Sequence, residues 1–138
     1  SNDAAALHDG KIQYSCLPND TGGIVDDLLV YRFGAEEYML VVNASNIEKD
    51  WAWISRHNTF GAEMEDISAR TCLFAVQGPK AAAALQSLTP VDLPAMDYYT
   101  FKVGPFAEVP DVIISATGYT GAGGFEIYVP NPYAAQVW

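Results

Sequence analysis

The sequence predicts an α+β fold with mostly antiparallel strands, and three observations carry that reading. Three strand-like runs follow one another near the start with only turn residues between them. Helical patterns then interrupt the strands in an order unlike the strict strand–helix alternation of a doubly wound parallel sheet. Near the end, a glycine-rich turn leads straight into another alternating run.

The elements follow in order. "KIQYSCL" (11–17) alternates, with Ile12, Tyr14 and Cys16 on one face and Gln13, Ser15 and Leu17 on the other. "PNDTGG" (18–23) turns the chain, "IVDDLLVYRF" (24–33) runs back, and "GAEE" (34–37) turns it again into "YMLVVN" (38–43). These segments make an antiparallel meander. "NASNIEKDWAWISRH" (43–57) then reads as a helix, with Ala44, Ile47, Trp51 and Ile54 on one stripe and Ser45 with Glu48 as a capping box. On it, Glu48, Lys49 and Asp50 form a solvated face.

The second half repeats these signals. "DISARTCLFAVQG" (66–78) contains a strand, and "PKAAAALQSL" (79–88) a short helix with Pro79 in its first turn. "YYTF" (98–101) reads as a strand edge that puts Tyr98 and Tyr99 on opposite faces. "FKVGPFAEV" (101–109), "DVIISATGYT" (111–120) and "GFEIYVP" (124–130) are strands, and in "NPYAAQVW" (131–138) Asn131 caps a helix that Pro132 begins. That helix breaks off after about two turns with apolar residues still arriving, the pattern expected of part of a longer protein.

Composition narrows the class. The 138 residues, half of them hydrophobic, suit one globular domain with a sizeable core. A net charge of −10 repels phosphate backbones and anionic membranes, so neither nucleic acid nor a membrane is expected as a partner. No apolar run is long enough to span a bilayer. Cys16 and Cys72 lack paired spacing, which fits ordinary packing in a reducing, cytoplasmic setting. His8 and His57 have no ligand-spaced partners, so no metal site is predicted.

Two stretches carry candidate chemistry. The adjacent acids Asp26 and Asp27 open an apolar run and admit two readings, a turn exit or a site. Strand parity puts Asp27 with Leu29 and Tyr31 and turns Asp26 the other way, as an exposed turn carboxylate. On the second reading, a carboxylate beside a leucine and a tyrosine makes an apolar wall with one polar anchor, suited to a flat heterocycle. The other stretch is "GYTGAGGFEIYVP" (118–130), whose glycines neither open a helix nor carry the lysine of a phosphate loop. A tight hairpin is one reading; the other gives Tyr119 and Glu126 a role, the glutamate meeting an amidine-like N–H edge.

Four blocks, "GGIVDDLLVY", "LVVNASNIEKDWAWI", "FAVQGPKA" and "GYTGAGGFEI", stand in the order and spacing of the T-protein family of the glycine cleavage system, the aminomethyltransferases, which the chain resembles from about Gly10 to its end. The resemblance implies an enzyme that takes the aminomethyl group from the lipoylated H-protein, releases ammonia, and gives the one-carbon unit to tetrahydrofolate as 5,10-methylenetetrahydrofolate. It implies that Asp27 is the catalytic carboxylate near N10. Tyr14, Asp27, Leu29, Tyr31, Asn46, Tyr99, Tyr119 and Glu126 match positions lining the family's folate pocket, with Tyr119 and Glu126 on the pterin.

By the same resemblance, residues 1–138 are a partial folate-binding region, inactive alone. The family's start, a folate-contacting arginine and the C-terminal domain would lie outside it. Where the family reads GYTGEDG, this sequence has Ala122-Gly123, two charges fewer. The alternatives are a non-catalytic folate-binding or regulatory module, and the folate domain of a sarcosine or dimethylglycine demethylase.

Overall fold

The structure is a computed structural model that describes residues 2–138. It is α+β, with antiparallel strands and three short helices. Length alone pointed to one core. The chain instead forms two compact units, the first running to Asp66 and the second from Ile67 to Trp138.

The first unit is the predicted meander followed by the predicted helix. β1 (Ile12–Pro18), β2 (Ile24–Gly34) and β3 (Glu37–Val42) form a three-stranded antiparallel sheet in that order. Asn19 sets the β1–β2 reversal, its Oδ1 accepting from the Thr21 and Gly23 N–H groups at 3.1 and 2.7 Å. On central β2, Leu28, Leu29, Val30 and Tyr31 are all buried, so both faces of that stretch are covered.

After β3 the chain takes a 3₁₀ turn, Ala44–Asn46, and only then enters α1 (Ile47–His57). Ser45 therefore lies inside a 3₁₀ turn rather than at the helix boundary, and the expected capping box does not form. Asn46 occupies the N-cap without a side-chain capping bond. A larger departure concerns the face read as solvated: Asp50 is completely buried, the one fully buried residue of α1.

The second unit holds a four-stranded antiparallel sheet in the order β4 (Thr71–Gln77), β7 (Gly124–Pro130), β6 (Val109–Ser115), β5 (Phe101–Phe106). Phe106, Val112, Ile114, Ile127 and Val129 are its buried centre, joined by Ala81 and Leu85 of α2 (Ala81–Leu85). Alternation along β6 and β7 thus gives one apolar face, which the helix covers.

Four local expectations fail here. The β5–β6 hairpin turns at Ala107-Glu108, with φ of 48° and 66°, so Val109 and Pro110 belong to β6. Pro110 had marked the break, whereas a two-residue turn of this kind needs left-handed residues and takes them without glycine. Pro79 precedes the N-cap Lys80 of α2. Tyr98 and Tyr99 lie before β5, Tyr99 with φ 60°. Asn131 does not cap α3 (Ala134–Val137); it sits in a 3₁₀ turn and donates to the Ala69 carbonyl at 2.8 Å. Among the described residues, no helix is long and apolar enough to cross a membrane.

Candidate functional site

In the first unit the predicted residues gather at one end of β2. Asp27 lies opposite Cys16 of β1, and Leu29 opposite Tyr14, so Tyr14 is two residues along from the carboxylate's own partner. Its hydroxyl reaches back to donate to Asp27 Oδ2. The other oxygen, Oδ1, accepts from Asn43 Nδ2 at 2.8 Å. Asn43 follows directly on β3, whose Val42 pairs with Leu28, so the register delivers that amide to the acidic end of β2.

Parity separates Asp26 from Asp27, yet Asn43 rejoins them. The same Nδ2 donates to Asp26 Oδ1 at 2.9 Å. Asp26 also accepts from the Asp27 N–H at 2.9 Å and from Asn46 Nδ2 at 2.5 Å. Lys49 Nζ stands 3.5 Å from its Oδ2. Asp26 is therefore not the exposed turn carboxylate that parity indicated; its side chain is only 10% exposed. Burial alone would raise its pKa, but the bonds from Asn46, the Asp27 N–H and Asn43 outweigh that and hold it well below the usual carboxylate range.

Asn46, expected on the folate wall, donates to Asp26 rather than to Asp27. Tyr31 has no exposed surface and Leu29 very little, while Tyr14 is 46% exposed. Tyr14 and Asp27 thus form the accessible rim, with Leu29 behind them and Tyr31 inside the sheet.

In the second unit, Glu126 sits on central β7, opposite Ala75 on one side and Ser115 on the other. The Thr117 hydroxyl donates to Glu126 Oε2, and Thr117 and Ser115 hydroxyls lie 2.8 Å apart, both buried. The glutamate therefore ends a hydroxyl relay. Tyr119 is 84% exposed on the glycine loop. Tyr99 packs edge-on against Tyr98, whose hydroxyl donates to the Gly118 carbonyl at 3.0 Å.

Sequence reasoning missed Gln77, which staples this loop. Its Nε2 donates to the Thr117 and Phe125 carbonyls, both at 3.1 Å, bracketing the glycine turn. A Cβ on Gly118 would lie 2.0 Å from Gln77 Oε1, and one on Gly124 2.6 Å from the Val76 carbonyl oxygen. Gly124 is required by its contact with backbone and Gly118 by its φ of 154° and the Gln77 amide that a Cβ would displace, whereas Gly121 and Gly123 have open space and need only their positive φ. The Gly78 N–H also donates to the Gly123 carbonyl at 2.8 Å. The loop is thereby tied down without the two charges of GYTGEDG. Only the register shows it: Gln77 pairs with Gly124, placing a long amide beside a residue without a side chain.

Cys16 and Cys72 form no disulfide. His57 Nδ1 lies 2.8 Å from the Trp53 carbonyl and His8 Nδ1 3.2 Å from that of Asp9. Among the described residues, no three His, Cys, Asp or Glu side chains group as metal ligands.

Fold and side chains together define a class: α+β proteins whose antiparallel sheets carry an amide-anchored and a hydroxyl-anchored carboxylate, the latter beside a glycine loop. Within that class, the chain belongs to the family of the GCVT N-terminal domain, whose profile matches residues 1–138. It is 62% identical over all its residues to an aminomethyltransferase of Flavobacterium psychrophilum and 45% identical to one of Geobacillus thermodenitrificans, covering 38% of each. Among solved structures it resembles glycine cleavage system aminomethyltransferase T from Bartonella henselae, with a TM-score of 0.80 and 35% identity, over 97% of this chain and 36% of that one. The chain thus spans about two-fifths of the length of the curated relatives it matches.

Proposed function

We propose that the chain is the folate-binding portion of an aminomethyltransferase that takes an aminomethyl group from a lipoylated H-protein, releases ammonia and passes the one-carbon unit to tetrahydrofolate. The observation that carries this reading is Asp27: a carboxylate on the accessible rim, fixed by Tyr14 and Asn43. Relatives of this chain are named aminomethyltransferases, which supports the reaction class.

The donor set fits tetrahydrofolate. Carboxylates accept from N–H groups, and the pterin edge and N10 are N–H groups. When bound, tetrahydrofolate supplies the nitrogens that accept the one-carbon unit. In the second unit, Glu126, with one oxygen engaged by Thr117, would accept from the pterin edge, and Tyr119 and Tyr99 would offer ring surface to it. In the first unit, Asp27 would orient N10 and accept or return its proton. Tyr14 and Asn43 keep that carboxylate in place, and Leu29 with Tyr31 excludes water behind it. Asn46 acts at one remove, by holding Asp26.

The test is chemical. Full-length protein mixed with aminomethylated H-protein and tetrahydrofolate should release ammonia and form 5,10-methylenetetrahydrofolate. Tetrahydrofolate binding without ammonia would point instead to a non-catalytic folate module.

A further inference from the structure

Asp50 has no part in this chemistry, and its setting is unusual for an acid. It is completely buried, and neither carboxyl oxygen meets a hydrogen-bond donor among the described residues. A second carboxylate, Asp26, shares its surroundings through Lys49. One ammonium lies near both: Lys49 Nζ is 3.5 Å from Asp26 Oδ2 and 4.0 Å from Asp50 Oδ1. That ammonium is half-exposed and already donates to the Val25 carbonyl at 2.7 Å.

With all acids ionised, Asp26, Asp27 and Asp50 would set three negative charges against that single lysine. Asp26 has its charge met by the Asp27 N–H, Asn43 and Asn46. Asp50 has no such support, and an unsolvated charge against a like charge is the costliest arrangement available. A proton on Asp50 removes both penalties, because the O–H then supplies a donor where the geometry otherwise has none.

We propose that Asp50 is kept as the neutral acid, donating a hydrogen bond to Asp26, and that this acid–carboxylate pair acts through the Asn43 amide as a positioning element for the Asp27 carboxylate. Burial first, and then the hydrogen bond and charge of Asp26, push Asp50 above the usual carboxylate range. The titratable and charged groups acting on it are Asp26 and Asp27 from β2 and Lys49 from its own helix. Tyr14 of β1 donates to Asp27. One proton is shared between two acids, so the pair titrates as a unit. Ionising Asp50 would drive a second charge against Asp26 and disturb the Asn43 amide, which is 2.9 Å from Asp26 and 2.8 Å from Asp27. The value of this device for catalysis rests on the role proposed for Asp27; the shared proton does not.

The test uses the 138-residue chain with ¹³C-labelled aspartate. At neutral pH, isotope-edited infrared spectra should show the carbonyl band of a protonated carboxylic acid, absent from Asp50→Asn. The Asn43 side-chain amide resonances should shift on the alkaline side, in step with loss of that band. Asp50→Asn, which keeps a neutral donor, should hold them at the low-pH position, whereas Asp50→Leu should displace them at every pH.

Stability gives a second readout. A raised folded pKa contributes stability that is full below the unfolded value of 3.8 and lost as pH rises through the folded one. Across that window the folding constant should fall by up to about tenfold per pH unit, and Asp50→Asn should remove that fall. Should Asp50→Asn fail to fold, the wild-type band and amide titration decide alone. A wild-type chain without the acid band, a band that persists in Asp50→Asn, or an Asn43 amide blind to pH overturns the proposal. Failure of the folate reading would look different: no tetrahydrofolate binding by full-length protein whose band and titration are intact.

Discussion

Asp27 and Glu126 are both carboxylates on central strands of antiparallel sheets, yet they are held by different donors. Asp27 takes an asparagine amide and a tyrosine hydroxyl, and its neighbour Asp26 is gripped by two amides and a backbone N–H. Glu126 takes a threonine hydroxyl that leads to a serine hydroxyl, and either member of that pair can donate to the other. Amide N–H groups donate in one direction only and do not titrate, so they fix charge and geometry. Hydroxyls rotate, so they adjust to what the carboxylate binds. On the function proposed above, Asp27 of the first unit handles a proton and Glu126 of the second recognises the pterin edge.

Breaking the comparison at Asp27 should have the largest effect. In the full-length protein, Asp27→Asn keeps the shape and, on the proposed function, should lower turnover by about a hundredfold or more, the contribution expected of a positioned acid–base group. Steady-state ammonia release measures it, and unchanged turnover would remove Asp27 from the chemistry. In the second unit, Gly124→Ala should cost about 3 kcal/mol, because the added Cβ meets the Val76 carbonyl oxygen at 2.6 Å, and Gly118→Ala about 2 kcal/mol, because it displaces the Gln77 amide rather than backbone. Gly121→Ala, with open space, should cost only about 1 kcal/mol in the same denaturant titration.

Smaller effects sharpen the contrast. Thr117→Val removes the donor to Glu126 and should cost about 2 kcal/mol, within the range for a hydrogen bond to a charged group. Acid should act on the first unit in particular. Asp26, held below its ordinary value of 3.8, contributes stability above that pH and loses it as the pH falls through the folded value. Asp26→Asn should flatten that acid limb in a pH series of thermal melts. Finally, replacing Ala107-Glu108 by Asn-Gly fits the left-handed turn there and should add about 0.5–1 kcal/mol.

Much of this was legible in the sequence. Alternation gave the meander of β1 to β3 and the strands β4 and β7, because each carries an apolar face bounded by turn residues. The turn at Ala107-Glu108 was not, since no glycine or asparagine marks it and Pro110 beside it drew the boundary. Nor was the burial of Asp50, because charge alone placed it on the solvated face. The signal lay in spacing: Asp50 is three residues from Ile47 and four from Ile54, on the inward stripe of α1. Asp26 was misplaced for a related reason. Parity says which way a side chain leaves a strand, but not that Asn43, from the next strand's end, reaches both acids.

The division of labour between the two carboxylates is tested most directly by calorimetric titration of tetrahydrofolate into full-length Asp27→Asn and Glu126→Gln proteins. Asp27→Asn should bind within about threefold of the unmodified protein, and Glu126→Gln about tenfold more weakly or worse, as loss of a charge-assisted bond requires. The reverse order, with Asp27→Asn crippled in binding and Glu126→Gln unaffected, would contradict the assignment.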